Sequence, residues 1–185
     1  MKKTPDARGE APCKRLVDFV TGREVPNIGA EENRQAVSRF LVERKGFARG
    51  DIEVGAEISL TAGGRPYRSR LDLVVSAGGT RFAVVKCAAG SLESWVRETL
   101  AAARLLDRSL LPLAVVSDGR TALVFDTRSG RRLGEGLEAI PNRNQALDML
   151  SAAPPEPFPP ERRERESLIF RTYDLERVNR PVAPG

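Results

Sequence analysis

The sequence predicts an α/β fold: a mixed β-sheet flanked by helices, core order α-β-β-β-α-β, with extra elements at the C-terminal end. Three observations carry this. Val37, Phe40 and Leu41 form an apolar stripe at helical spacing just before three strand-like runs. Two of those runs flank Ala77-Gly78-Gly79-Thr80, a hairpin turn. A helical stretch then links the second of them to a further apolar run, a βαβ pattern that makes the two linked strands parallel.

In chain order, residues 1–12 (Lys, Pro, Asp, Gly) read as a disordered tail. Residues 13–20 suit a short helix with Leu16, Phe19 and Val20 on one face, followed by a loop through Thr21-Gly22-Arg23 and Pro26-Asn27. Residues 31–45 form a helix that Gly46 stops, with Phe47 packing back on its last turn. Residues 52–60 alternate Ile52, Val54, Ala56, Ile58 and Leu60 as one half-buried strand. After the turn at Ala62-Gly63-Gly64-Arg65-Pro66 come strands 68–76 and 81–87. Ser91 is placed to cap a helix over 92–106, with Trp95, Val96, Leu100 and Ala103 inward. Strands 112–117 and 121–125 meet at Asp118-Gly119, Thr127-Arg128-Ser129-Gly130 turns, and 144–150 is a short helix. Pro154, Pro155, Pro157, Pro159 and Pro160 make 153–160 a polyproline-like linker. A last helix over 161–177 offers Leu168, Ile169, Phe170, Tyr173 and Leu175 for docking and is a candidate homodimer contact. The expected organisation is one domain over 13–152, the linker, then helix and tail over 161–185.

At 185 residues the chain is long enough for one domain with a true core. No apolar stretch approaches the ~20 residues that a membrane span needs, and the first residues lack the apolar core of a signal peptide. Cys13 and Cys87 are too few and too different in context for a disulfide framework, so reduced thiols and a cytoplasmic location are expected. The absence of histidine excludes Ser-His-Asp triads, Cys-His dyads and zinc sites that need imidazole. The net charge is +5, and all but five of the 30 basic residues are arginine. Arginine suits bidentate phosphate contact, so DNA is the expected partner, although a high-GC codon bias gives the same composition.

Lys86 is the most informative position. It follows Phe82-Ala83-Val84-Val85 and faces a second apolar run that carries Asp72. A charge within each of two neighbouring buried strands is costly unless paired or used. Pairing centred on Gly79 puts Asp72 opposite Lys86 on one sheet face.

The stretch from Glu31 to about Gly136 resembles the N-terminal nuclease domain of type I restriction enzyme R subunits, within the PD-(D/E)xK nuclease superfamily. Glu31-Glu32-Asn33-Arg34-Gln35 is similar to that family's opening helix and Lys45-Gly46-Phe47 to the end of that helix. Ser69-Arg70-Leu71-Asp72-Leu73-Val74-Val75 resembles its aspartate strand, Val84-Val85-Lys86-Cys87-Ala88 its E-x-K strand, and Val115-Val116-Ser117-Asp118-Gly119 the following strand end. The resemblance implies a restriction-endonuclease-like core. It also implies Mg²⁺ (or Mn²⁺) held by the aspartate and by a glutamate two residues before the lysine, with the lysine steadying water and phosphate.

The chain departs from that pattern where it matters most. Val84 stands in place of the metal-binding glutamate, and Ala101 in place of a glutamine on the next helix. Glu98, on that helix, is the candidate replacement, making Asp72 and Glu98 the metal ligands and Asp72, Lys86 and Glu98 the catalytic set. Glu93 and Glu57 are weaker candidates. Without a metal, Asp72 and Lys86 form a buried ion pair left from a nuclease site, and no cofactor is expected. Arg34 and Gln35 approach the site and are the candidate nucleic-acid-binding residues; the alternative is an exposed polar helix face. Cys87 points to the opposite sheet face and reads as core packing rather than a nucleophile. Ala89-Gly90-Ser91 lacks the length and the Lys-Ser/Thr end of a P-loop, so no nucleotide cofactor is expected. The sequence thus reads as a stand-alone nuclease-fold domain: degenerate and DNA-associated, an active Mg²⁺-dependent endonuclease, or an interaction scaffold.

Overall fold

The computed structural model describes residues 14–154 and 156–178, with side chains through residue 174 in the last helix. The tail 1–12, Cys13, residues 179–185 and the Leu175 side chain lie outside the described residues. The chain runs β1 (Arg15–Val17), β2 (Glu24–Pro26), α1 (Glu31–Glu43), β3 (Ile52–Val54), β4 (Glu57–Ala62), β5 (Arg65–Arg70), β6 (Leu73–Ala77) and β7 (Thr80–Cys87). It continues with α2 (Val96–Leu105), β8 (Leu113–Ser117), β9 (Ala122–Asp126), β10 (Arg132–Glu135), α3 (Arg143–Ala152) and α4 (Pro160–Val178).

Six strands form one mixed sheet in the order β10-β9-β8-β7-β6-β3. β7 and β8 are parallel, as the βαβ pattern requires, and every other neighbouring pair is antiparallel. The central strands read as almost unbroken apolar runs because both sheet faces are covered. On one face Val37, Leu41 and Phe47 pack with Leu73, Val75, Val85, Val115 and Val124, and Ala146 of α3 closes the same core. On the other, Leu100, Ala101 and Ala103 of α2 cover Val74, Val84, Ala114 and Leu123. α1 ends as its sequence suggests: Phe47 N–H donates to Leu41 O at 3.1 Å and its ring is buried.

Several expectations need correction. Of the helix expected over 13–20, the described residues 14–20 form none: Leu16 pairs with Val25 in the β1–β2 hairpin, and Asp18 begins the turn. The apolar residues there matched a helical period by coincidence, and a strand pairing outweighs a weak local preference. The expected strands 52–60 and 68–76 are each broken. β3 and β6 belong to the main sheet, whereas β4 and β5 form a separate two-stranded ribbon. The chain bends at Gly55 and Leu71-Asp72, and Leu71 N–H to Ala56 O carries the pairing across the break. Splitting them lets the ribbon leave the sheet and bring Ile58 and Leu71 against the α2 face. β10 was not expected; it is short, half-exposed and lacks an apolar pattern.

The proline-rich segment is tied down. Ser109 bridges Pro157, Leu110 N–H donates to Glu156 O, and Phe158 is buried. It delivers α4 across α2 and β4, where Phe170 is fully buried and Tyr67 donates to Asp174 Oδ2 at 2.5 Å. Burial and the Asp174 carboxylate together raise the Tyr67 pKa well above its ordinary value. Of the residues offered for docking, Phe170 and Ile169 pack within the chain, whereas Leu168 is exposed.

Candidate functional site

Two glycines and one extra residue bring Asp72 to Lys86. Gly78 and Gly79 both have positive φ (59° and 81°), as a two-residue turn pairing Ala77 with Thr80 demands. A bulge follows: Ser76 faces Arg81 but Val75 faces Ala83, leaving Phe82 as the extra residue. That shift aligns Leu73 with Val85, and the next step in register is Asp72 with Lys86. Without it Asp72 would face position 85, whose side chain enters the α1 core. Lys86 Nζ lies 2.8 Å from Asp72 Oδ2, and Cys87 N–H donates to the same oxygen at 2.8 Å. Lys86 also stands 5.1 Å over the Trp95 ring at the start of α2.

The opposite wall comes from α1. Arg34 bridges Glu31 and Asp18, each contact at 2.5 Å. Gln35 donates to Asp18 at 2.9 Å and to Glu31 at 2.7 Å, while its Oε1 accepts Phe19 N–H. Burial works against the Asp18 charge, but hydrogen bonds from Thr21, Gln35 and Arg34 outweigh it and hold the pKa at about 2. Burial likewise disfavours the Arg34 charge, and Glu31 and Asp18 more than compensate. Arg34 Nη1 is buried without a hydrogen-bond partner, a donor for water or an anion. Glu31, Arg34, Val54, Leu71 and Asp72 line one cleft of about 300 Å³.

A family model for the type I restriction enzyme R protein N terminus matches residues 29–141, more than half of the chain. The chain belongs to the type I restriction enzyme R protein N-terminus family. That membership is consistent with the PD-(D/E)xK superfamily. No curated protein and no solved structure matches this chain.

Several residues of this family member fall where the sequence suggested and others do not. Asp72 and Lys86 meet. Val84, which the resemblance sets at the place of an acid, is buried in the apolar α2-side core at 2% exposure. Glu98 is buried on α2, and its charge acts on the Tyr67 phenol beside Asp174 and Arg171. Glu93 is exposed and ion-paired with Arg132, and Glu57 is exposed and accepts from Ser59. Arg34 and Gln35 are not an exposed face; both turn inward and reach the site through Glu31 and Asp18. Cys87 packs in the α1-side core, and burial raises its thiol pKa. Ser91 precedes a short 3₁₀ turn but its side chain makes no capping bond.

The donor set does not fit a divalent cation as it stands. Glu31 Oε1 and Oε2 are both engaged by Arg34, and Asp72 Oδ2 by Lys86 and Cys87. Val84 supplies no oxygen, and among the described residues no three acidic or sulfur side chains gather into a metal-sized group. Sequence reasoning missed Glu31 and Asp18. Glu31, Arg34 and Gln35 lie at i, i+3 and i+4 on one helix face, a spacing that could have flagged their mutual contact. Asp18 before Thr21-Gly22 carries the signature of an Asx-type turn.

Proposed function

We propose that this domain is a DNA-associated nuclease fold of the PD-(D/E)xK type whose cleavage site is degenerate. One observation carries the reading: Asp72 and Lys86 neutralise each other at 2.8 Å, and Val84, where the resemblance expects a second carboxylate, is a buried apolar side chain. In a working site of this kind two carboxylates bind the cation and the lysine is free to meet phosphate. Here the lysine amine is held by the aspartate and stacked on Trp95. The arginine-rich composition supports DNA as the partner.

Two measurements on the whole chain test it. The melting temperature should not move in Mg²⁺ or Mn²⁺. A millimolar site would add about 1.4 kcal/mol at ~10 mM metal, a rise of roughly 3–6 °C for a chain of this size. Duplex DNA should bind with an affinity that falls steeply with salt. Metal-dependent nicking that disappears in Asp72→Ala, Lys86→Ala and Glu98→Gln would replace this reading with an active endonuclease using Glu98 as relocated ligand. Folded protein with no DNA affinity even at low salt would leave a protein-interaction module.

A further inference from the structure

The α1-side cleft is a poor magnet for DNA. Glu31 and Asp18 outnumber Arg34, Asp72 cancels Lys86, and among the described residues that line it Arg70 alone adds positive charge. A second cleft, of about 530 Å³, lies between α2, α4 and the β9–β10 turn. Its chemistry is different. Arg97 and Arg104 share one α2 face with Leu100, and Arg162, Arg165, Glu166 and Ile169 face them from α4. Arg104 is committed: its Nε donates to Thr127 O and its Nη1 lies 3.0 Å from Glu166. Arg97, Arg162 and Arg165 are exposed, and among the described residues none has an ion pair or a side-chain hydrogen bond.

Three unpaired guanidinium groups around one apolar-floored cleft repel one another and are relieved by an anion with several charges. They stand on the rim rather than sunk in a cavity, so they suit a ligand that lies across the opening. α4, which supplies one wall of the cleft, lies outside the residues that the family model matches, whereas the α2 wall and the β9–β10 turn lie within them. We propose that the α2–α4 cleft is the DNA-backbone contact of this protein, with Arg97, Arg162 and Arg165 each taking a phosphate. This rests on the reading of the domain as DNA-associated and adds where the strand lies. Arg–phosphate pairing is bidentate and carries no sequence information, so binding through this cleft is indifferent to sequence.

The test is a salt titration of duplex DNA binding by fluorescence anisotropy. The full chain is compared with Arg97→Gln/Arg162→Gln/Arg165→Gln and with a charge-matched control, Arg65→Gln/Arg68→Gln/Arg120→Gln, whose exposed arginines also lack ion pairs. The cleft variant should bind at least about tenfold more weakly, and its log K against log salt slope should flatten by about 2.7, or ~0.9 per lost phosphate contact. The control should keep most of the slope. If both triples weaken binding equally, net charge alone is at work and the cleft assignment is overturned. If the unmodified chain binds but the cleft variant is unchanged, the cleft falls while DNA association stands. If the unmodified chain does not bind DNA at low salt, DNA association itself fails and takes the cleft with it. Circular dichroism melts of both triples confirm that each is folded before its affinity is read.

Discussion

Removing Asp72 should cost more stability than removing Lys86, although the two form one ion pair. At about 4 Å between charge centres the pair is worth roughly 4 kcal/mol of Coulomb energy at an effective dielectric of ~20, before desolvation is subtracted. Exposures of 24% for Asp72 and 14% for Lys86 place the pair between a surface bridge and a sealed one. Asp72→Ala leaves Lys86 without its counter-charge and Cys87 N–H without its acceptor. Two orphaned donors at this depth cost about 2–4 kcal/mol. Lys86→Met keeps the aliphatic contact with Trp95, and Asp72 keeps the Cys87 N–H and the cleft, so the loss is about 1 kcal/mol. In the double variant, deleting the already isolated partner is cheap, and a coupling of roughly 1–2 kcal/mol should separate it from the sum. Urea unfolding of the four proteins, with m unchanged, measures this. Additive losses, or an Asp72→Ala protein within ~0.5 kcal/mol of the parent, would show that the pair is not the electrostatic unit described.

Further outcomes follow from neighbouring features. Val84→Glu puts a carboxylate into the apolar α2-side core and should destabilise by several kcal/mol, about 3 or more; Mn²⁺ should restore part of the melting temperature, because the added oxygen joins Asp72 on one face, and no restoration would mean that the fold no longer supports a metal there. Acid should act through Asp18. Its folded pKa of about 2 lies below the ordinary 3.8, so its stabilisation is present above pH ~4 and is lost as pH falls from there towards 2; denaturant melts should show about 2 kcal/mol of acid loss that Asp18→Asn lacks. Gly119→Ala should lower the melting temperature by several degrees, since its Cβ would meet Ala36 Cβ at 2.9 Å and Asn33 O at 3.2 Å with φ at +84°; an unchanged melt would mean that α1 does not pack this closely on the β8–β9 turn.

Local pattern alone determined a good deal. The α1 stripe with Gly46 and Phe47 behind it, the Gly78-Gly79 hairpin, and the parallel pairing of β7 and β8 all follow from period, turn chemistry and chain connectivity. Each depends on residues close in sequence, or on a crossover rule that leaves one solution. The meeting of Asp72 and Lys86 was legible too, because a one-residue slip would drive charges into the core, but the bulge at Phe82 that sets this register was not. The family resemblance was legible from Glu31 to about Gly136, within the residues 29–141 that the family model matches.

Tertiary structure decided the rest, because the deciding contacts join distant segments. Asp18 and Gln35 are buried together although 17 residues apart, and only that meeting turns α1's polar face inward. Strands 52–60 and 68–76 break because the ribbon gains burial under α4, a helix some hundred residues later whose position no local period announces. The three free arginines likewise share a cleft only because Phe170 and the Arg104–Glu166 pair seat α4 against α2. Propensity and period act over a few residues; burial and charge pairing act between whatever the folded chain brings into contact, and the candidate sites are made of the latter.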